Sequence, residues 1–240
     1  MKLNIFQTVD ELLAALAEYF IVSANRAIES HGSFAVVLSG GSSPKKLYSL
    51  LASVLYKKKI DWSKVYFFFG DERYVPAASA DSNYRLVKEV LFEPLAIDDS
   101  HIFPVNTMLS PHDAAQEYMH TIHNFFDGKD PRFHLVLLGL GDNSHTASLF
   151  PFTYILHETN ATVKEVFLTD QQVYRISFTA PLINKAHQVA FLVYGASKAQ
   201  AVYNILEEDM NTEIFPAQLI MPLSGDAEWF LDEAAANKLP

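Results

Sequence analysis

The chain has 240 residues, of which 50% are hydrophobic and 19% charged, enough apolar material to bury a sizeable core and too much for a disordered polymer. Its 18 Lys and Arg against 28 Asp and Glu give a formal charge of −10, which argues against a surface built to grip a nucleic-acid backbone. The absence of cysteine excludes disulfides, thiol catalysis and thiolate metal sites, and no run of about eighteen uncharged apolar residues offers a membrane span.

Taken in chain order, Thr8 and Glu11 frame a capping box ahead of the amphipathic "ELLAALAEYFIVSANRAIES", a first helix stopped by Gly32. The acids in this opening stretch interrupt what would be the apolar region of a signal peptide, so a cytoplasmic protein is expected. "FAVVLS" (34–39) reads as a strand, followed by a helix over 44–57 opening at Pro44, whose end carries Lys57, Lys58 and Lys59 into solvent. "VYFFFG" (65–70) is a second strand and 82–92 a helix capped by Ser82; Ser110 and Pro111 then open a helix over 111–126. "FHLVLLG" (133–139) is a third strand, and 160–180 reads as two strands joined by a polar turn, antiparallel or at an edge. "QVAFLVYG" (188–195) and a helix over 196–208 complete the pattern.

Short apolar runs alternating with helices imply right-handed parallel crossovers and an α/β doubly wound, mainly parallel sheet with helices on both faces and a small antiparallel portion. A single domain over 1–240 is expected, with a small lobe around 152–185. Chemistry is then expected where the strands end, because ligands of such sheets bind at the carboxyl edge.

Four strand-to-helix junctions carry unusual residues. The first, Ser39, Gly40, Gly41 and Ser42, brings backbone N–H groups and a helix N-terminus together and reads as a phosphate or sugar-phosphate cradle; a plain turn with serine caps is the alternative. The nucleotide P-loop spacing is absent. The second, Asp71-Glu72-Arg73, sets Asp71 and Arg73 on one side of an extended segment, where a guanidinium can grip phosphate in bidentate fashion; a surface ion-pair cluster is the alternative. Downstream, Asn83 in "DSNYR" is a candidate ligand contact.

The third junction, "LGLGDNSHTASLFP", ends a strand at Gly139-x-Gly141 and presents His145 beside Thr146. A dinucleotide fingerprint is incomplete here because Ser144 occupies its third glycine. An imidazole with a pKa near neutrality can take a proton from water, although a core histidine satisfies the same pattern. No G-x-S-x-G nucleophile and no H-E-x-x-H metal pair occurs among the nine histidines, and the helical pair His120 and His123 reads as a solvated face. The fourth junction places Lys198 in the first helical turn after Gly195, where a cation opposes the helix dipole and suits an anion instead; Arg175 is a second such candidate.

The blocks "SGGSSP", "FFGDERYVP" with "DSNYR", "LGLGDNSHTASLFP", "RISFTAPLINKA" and "FLVYGASKAQAV", in this order along nearly the whole chain, resemble the 6-phosphogluconolactonases. The resemblance implies a modified Rossmann-type sheet shared with sugar-phosphate isomerases. It also implies hydrolysis of 6-phospho-D-glucono-1,5-lactone to 6-phosphogluconate, in the oxidative pentose phosphate pathway, with no metal and no cofactor. His145 is then the general base, with Arg73 on the substrate and Asp71 orienting a partner. The phosphate is expected among Ser39, Gly40, Gly41, Ser42, Arg73 and either Arg175 or Lys198, with Asn83, Gly141 and Thr146 lining the site. The partner implied is a small sugar-phosphate lactone, with neither nucleic acid nor membrane, and the default assembly is a monomer, a homodimer being the alternative.

Two blocks depart from the family pattern. Asn143-Ser144 replaces the usual Asp-Gly, which costs about 1–2 kcal/mol if position 144 has positive φ. "DQQVYRIS" replaces a stretch that usually carries Lys-Pro-Pro. Two other readings are a glucosamine-6-phosphate deaminase or isomerase, whose family carries different residues around its acidic block and histidine, and a noncatalytic sugar-phosphate sensor.

Overall fold

The computed structural model describes residues 2–240. Its strands are β1 (Lys2–Phe6), β2 (Phe34–Leu38), β3 (Val65–Phe69), β4 (Asp71–Arg73), β5 (Ile102–Phe103), β6 (Leu135–Leu138), β7 (Val163–Leu168), β8 (Val173–Phe178), β9 (Val189–Val193) and β10 (Glu228–Asp232). The helices are α1 (Val9–His31), α2 (Ser42–Leu51), α3 (Asn83–Val87), α4 (Glu93–Leu95), α5 (Pro111–Phe125), α6 (Ala180–Asn184), α7 (Ala199–Leu206) and α8 (Glu233–Ala236).

Seven strands pair in parallel in the order β1-β10-β9-β6-β2-β3-β5. The remaining three form an antiparallel sheet in the order β4-β8-β7. Both parts of the expected architecture are present, the small antiparallel one included.

The apolar runs are continuous because both faces of the main sheet are covered. Phe34, Val36 and Leu38 of β2 and Phe67 and Phe69 of β3 pack under α1 and α2. Ala35, Val37 and Phe68 point the other way, into a core shared with α5, α7 and the small sheet. Burying each such phenylalanine is worth about 1.5–3 kcal/mol, and the face-on pairs Phe68–Phe103 (4.5 Å) and Phe191–Trp229 (4.0 Å) add to it.

The first helix starts and stops as the sequence dictates. Thr8 and Glu11 form the reciprocal capping box, and Gly32 closes α1 in the left-handed region at φ 79°. Three other helices differ from their expected spans. The one expected over 44–57 begins at Ser42 and ends at Leu51, so the exposed Lys57, Lys58 and Lys59 lie in the turns beyond it. The 82–92 helix widens after Val87 into a π-helical turn over Lys88–Phe92 before α4. The span 196–208 opens as a 3₁₀ turn at Ala196–Lys198 and is α-helical only from Ala199 to Leu206.

Candidate active site

The carboxyl ends of β2, β3, β6 and β9 open into a cleft of about 290 Å³. Ser39, Gly40, Gly41, Ser42, Asp71, Arg73, Asn83, Gly141, His145, Thr146 and Lys198 all line it. Parallel crossovers thus bring together residues as distant in the chain as Ser39 and Lys198.

The loop after β2 is held at its base by the buried Tyr48, whose hydroxyl accepts the Ser39 N–H (3.1 Å) and donates to the Ser39 carbonyl (2.8 Å). Gly41, at φ 107°, is the N-cap of α2 and no side chain caps that end. The first-turn N–H groups are left for a ligand, with the positive end of the helix behind them. No serine hydroxyl caps the turn. Gly40 is needed for space: a Cβ there would lie 1.7 Å from Asn83 Oδ1.

At the end of β3 the three consecutive charges divide. Glu72 is buried, and its carboxylate accepts the N–H groups of Arg73 (2.7 Å), Asn83 (2.8 Å) and Tyr84 (2.9 Å) and the Ser82 hydroxyl (3.2 Å). It ties β4 to the start of α3 and corrects the surface ion-pair reading. Asp71 faces the other way and accepts from Ser148 Oγ (2.7 Å) and Asn83 Nδ2 (3.4 Å). Burial pushes its pKa up, while the Ser148 hydrogen bond and the charges of Arg73 and Arg175 act in the opposite direction. Asn83 Nδ2 also donates to the Asp71 carbonyl (2.9 Å), so Asn83 lines the cleft while its amide nitrogen holds Asp71.

Arg73 and Arg175 are directly paired across β4 and β8. Arg73 Nη1 donates to the Asp81 carbonyl at 2.7 Å, whereas the Arg175 guanidinium has no hydrogen-bond or ion-pair partner among the described residues. Burial, and then the charge of Arg73, lower the Arg175 pKa. Like charges directly opposed in a sheet are unfavourable, and the pair is suited to an anion set between them.

His145 is fixed on several sides. Its ring stacks on Phe150 at 4.0 Å and lies so close over Gly141 that a Cβ there would meet ring atoms at 2.0 Å. Nδ1 is hydrogen-bonded to Asn143 Oδ1, and the His145 carbonyl accepts from the Gly141 N–H (2.8 Å). Burial, followed by the charges of Lys198 and Arg175, pulls the imidazole pKa down to about 4, against the opposing pull of Asp142. At neutral pH the ring is uncharged. Lys198 Nζ pairs with Asp142 at 2.7 Å, and Thr146 Oγ1 donates to the Gly139 carbonyl (2.8 Å), a bond internal to the loop. Ser144 has φ 64°, and its Oγ is buried without a hydrogen-bond partner, so the strain expected of a residue other than glycine is present. The loop nevertheless presents His145 to the cleft. His120 and His123 are both exposed.

Sequence reasoning did not single out Ser148, Asp142 or Phe150, and marked Asn143 only as a departure from the family pattern, not as a contact of the imidazole. All four belong to the block that carries His145, but which of them touch it depends on how a loop of irregular backbone closes.

An uncapped helix start, a guanidinium pair and an imidazole at the carboxyl edge of a parallel sheet are the parts that an enzyme acting on a small anionic substrate needs. The sequence pattern of the glucosamine-6-phosphate isomerases/6-phosphogluconolactonase family matches residues 7–229, and the chain belongs to that family. Within it, the chain is 40% identical over 222 residues to a 6-phosphogluconolactonase of Synechocystis sp., covering 89% of this chain and 88% of that one. It is 35% identical to a probable 6-phosphogluconolactonase 1 of Arabidopsis thaliana, over 99% of this chain and 93% of the relative. Among solved structures, the 6-phosphogluconolactonase from Trypanosoma cruzi superposes with a TM-score of 0.86 at 29% identity, covering 99% of this chain and 96% of that chain.

Proposed function

We propose that the chain hydrolyses 6-phospho-D-glucono-1,5-lactone to 6-phosphogluconate in the oxidative branch of the pentose phosphate pathway, with His145 as general base and no metal. The observation that carries this reading is the imidazole of His145, held by Phe150, Gly141 and Asn143 in a cleft that also holds Arg73 and Lys198. Relatives named for this activity support it, whereas the family as a whole also contains isomerases.

His145 takes a proton from water as the oxygen attacks the lactone carbonyl carbon. The tetrahedral oxyanion is stabilised by N–H donors and cations at the cleft wall. The bond to the ring oxygen then breaks, and that oxygen leaves as a hydroxyl, taking the proton back from the imidazolium. The carboxylic acid so formed loses its proton to solvent. Arg73, Arg175 and the uncapped start of α2 hold the phosphate, and Asp71 orients a sugar hydroxyl. The same reading takes residues 1–240 as one catalytic unit, monomeric and cytoplasmic, in which β8 sets Arg175 opposite Arg73.

The test is acid release from freshly made lactone, measured above the spontaneous rate. His145→Ala is expected to lower kcat by about 10²- to 10⁴-fold in a folded protein. Unchanged kcat would overturn the base assignment. Ammonia release from glucosamine 6-phosphate, measured alongside, is expected to be absent; its presence would move the protein to the isomerase side of the family.

A further inference from the structure

Asn143 is exposed and uncharged and lies two residues before His145, yet its side-chain oxygen is the partner of His145 Nδ1. The acid beside it in sequence, Asp142, is engaged by Lys198 instead. The loop therefore has a carboxylate and an amide at adjacent positions and turns the amide to the imidazole. An amide oxygen only accepts hydrogen bonds, so the nitrogen facing it must carry the proton. The other nitrogen, Nε2, then carries the lone pair. The remaining contacts of the ring, Phe150 on one face and Gly141 close beside it, orient the plane but do not select the protonated nitrogen.

We propose that Asn143 is a positioning residue that selects the Nδ1–H tautomer of His145, making Nε2 the nitrogen that receives the proton of water. The proposal rests on the reading of His145 as the base.

The choice of an amide has a further effect. The charges that act most on the imidazole are those of the cations Lys198, Arg175 and Arg73 and of the anion Asp142, and the Asp71 carboxylate lines the same cleft. A carboxylate at position 143 would add an anion in direct contact and stabilise the imidazolium; Asn143 orients the ring without doing so. Burial and the surrounding cations then keep the imidazole neutral, and usable as a base, well into the acid range.

The experiment combines imidazole nitrogen NMR of substrate-free protein with kcat, KM and pH profiles of wild type, Asn143→Ala and Asn143→Asp. The wild-type ring is expected as the Nδ1–H tautomer. Asn143→Ala is expected to show a tautomer mixture and a kcat lowered about tenfold, with KM within about twofold of wild type. Asn143→Asp is expected to keep the tautomer and to move the acid limb of kcat/KM upward by about one pH unit. A wild-type ring protonated on Nε2, or an Asn143→Ala protein with unaltered tautomer and kinetics, overturns the proposal. The substrate-free spectrum decides the tautomer even if His145→Ala retains full turnover, a result that would overturn only the base assignment.

Discussion

Arg73 and Arg175 stand opposite one another across β4 and β8, and among the described residues only the first has a partner for its guanidinium. Removing either cation is expected to relieve repulsion in the empty site and to weaken binding of the phosphorylated substrate. For Arg175→Ala, KM for the phosphorylated lactone should rise roughly tenfold to a hundredfold, the range expected for losing a charge-assisted hydrogen bond. KM for the same lactone without phosphate should change little. Equal losses on both substrates would show that Arg175 does not read the phosphate.

Position 144 offers a separate test. Ser144 adopts φ 64° with a buried, unpartnered hydroxyl. Ser144→Gly removes both penalties at the cost of a more flexible unfolded chain, for an expected net gain of about 1 kcal/mol. Urea denaturation measures the change, and a loss of stability would show that the serine is not strained.

The two acids at the end of β3 should behave differently. Glu72→Ala leaves three N–H groups and a hydroxyl without their acceptor in a buried place and should cost about 3 kcal/mol or more of stability. Asp71→Asn keeps the shape and one acceptor oxygen for Ser148, so it should lower kcat while the midpoint of unfolding moves far less. Thermal unfolding and kinetics on both variants separate the two roles.

Acid should act on the protein through two histidines. His145 acts as a base only when neutral, so with its pKa at about 4 the acid limb of kcat/KM is expected near pH 4 rather than near 6.5. His134, stacked among His31 and His187 at the opposite end of β6, is also held down to about 4, chiefly by burial. Its unfolded-state pKa is higher, so the unfolded chain binds the proton first, and stability that is complete above about pH 6.5 declines as pH falls toward 4. His134→Gln can still accept the Ala35 N–H that Nδ1 now takes, and it should lose less stability than wild type between pH 7 and 5. Parallel denaturation curves at those two pH values decide it.

What the sequence reveals is uneven, for physical reasons. The loops after β2, β3, β6 and β9 are legible because each follows a long apolar run and is built from residues an ordinary turn does not need. β1 and β10 are not, since "KLNIF" alternates weakly and "EWFLD" is framed by acids, and neither announces a strand until the two pair in parallel. Glu72 reads as solvated because its neighbours are charged; its burial follows from where α3 begins. The meeting of Arg73 with Arg175 depends on strand register across about one hundred residues of chain, which no local pattern encodes. Asn143 and Asp142 are both in reach of the imidazole by sequence, and only the closed loop shows which one turns to it.

Gly70 links the two sheets: its N–H donates to Leu38 of β2 (2.9 Å) and its carbonyl accepts from Phe178 of β8 (2.8 Å). The guanidinium pair belongs to the small sheet and the imidazole to a loop of the large one, so this residue, together with the bonds of Ser148 to Asp71 and Ser177, joins the two ends of the site. The span between them is set by main chain and by buried, hydrogen-bonded side chains rather than by side chains free to swing. The site is in effect a fixed gauge, in which the separation of the guanidinium pair from the imidazole follows from where β3 stops.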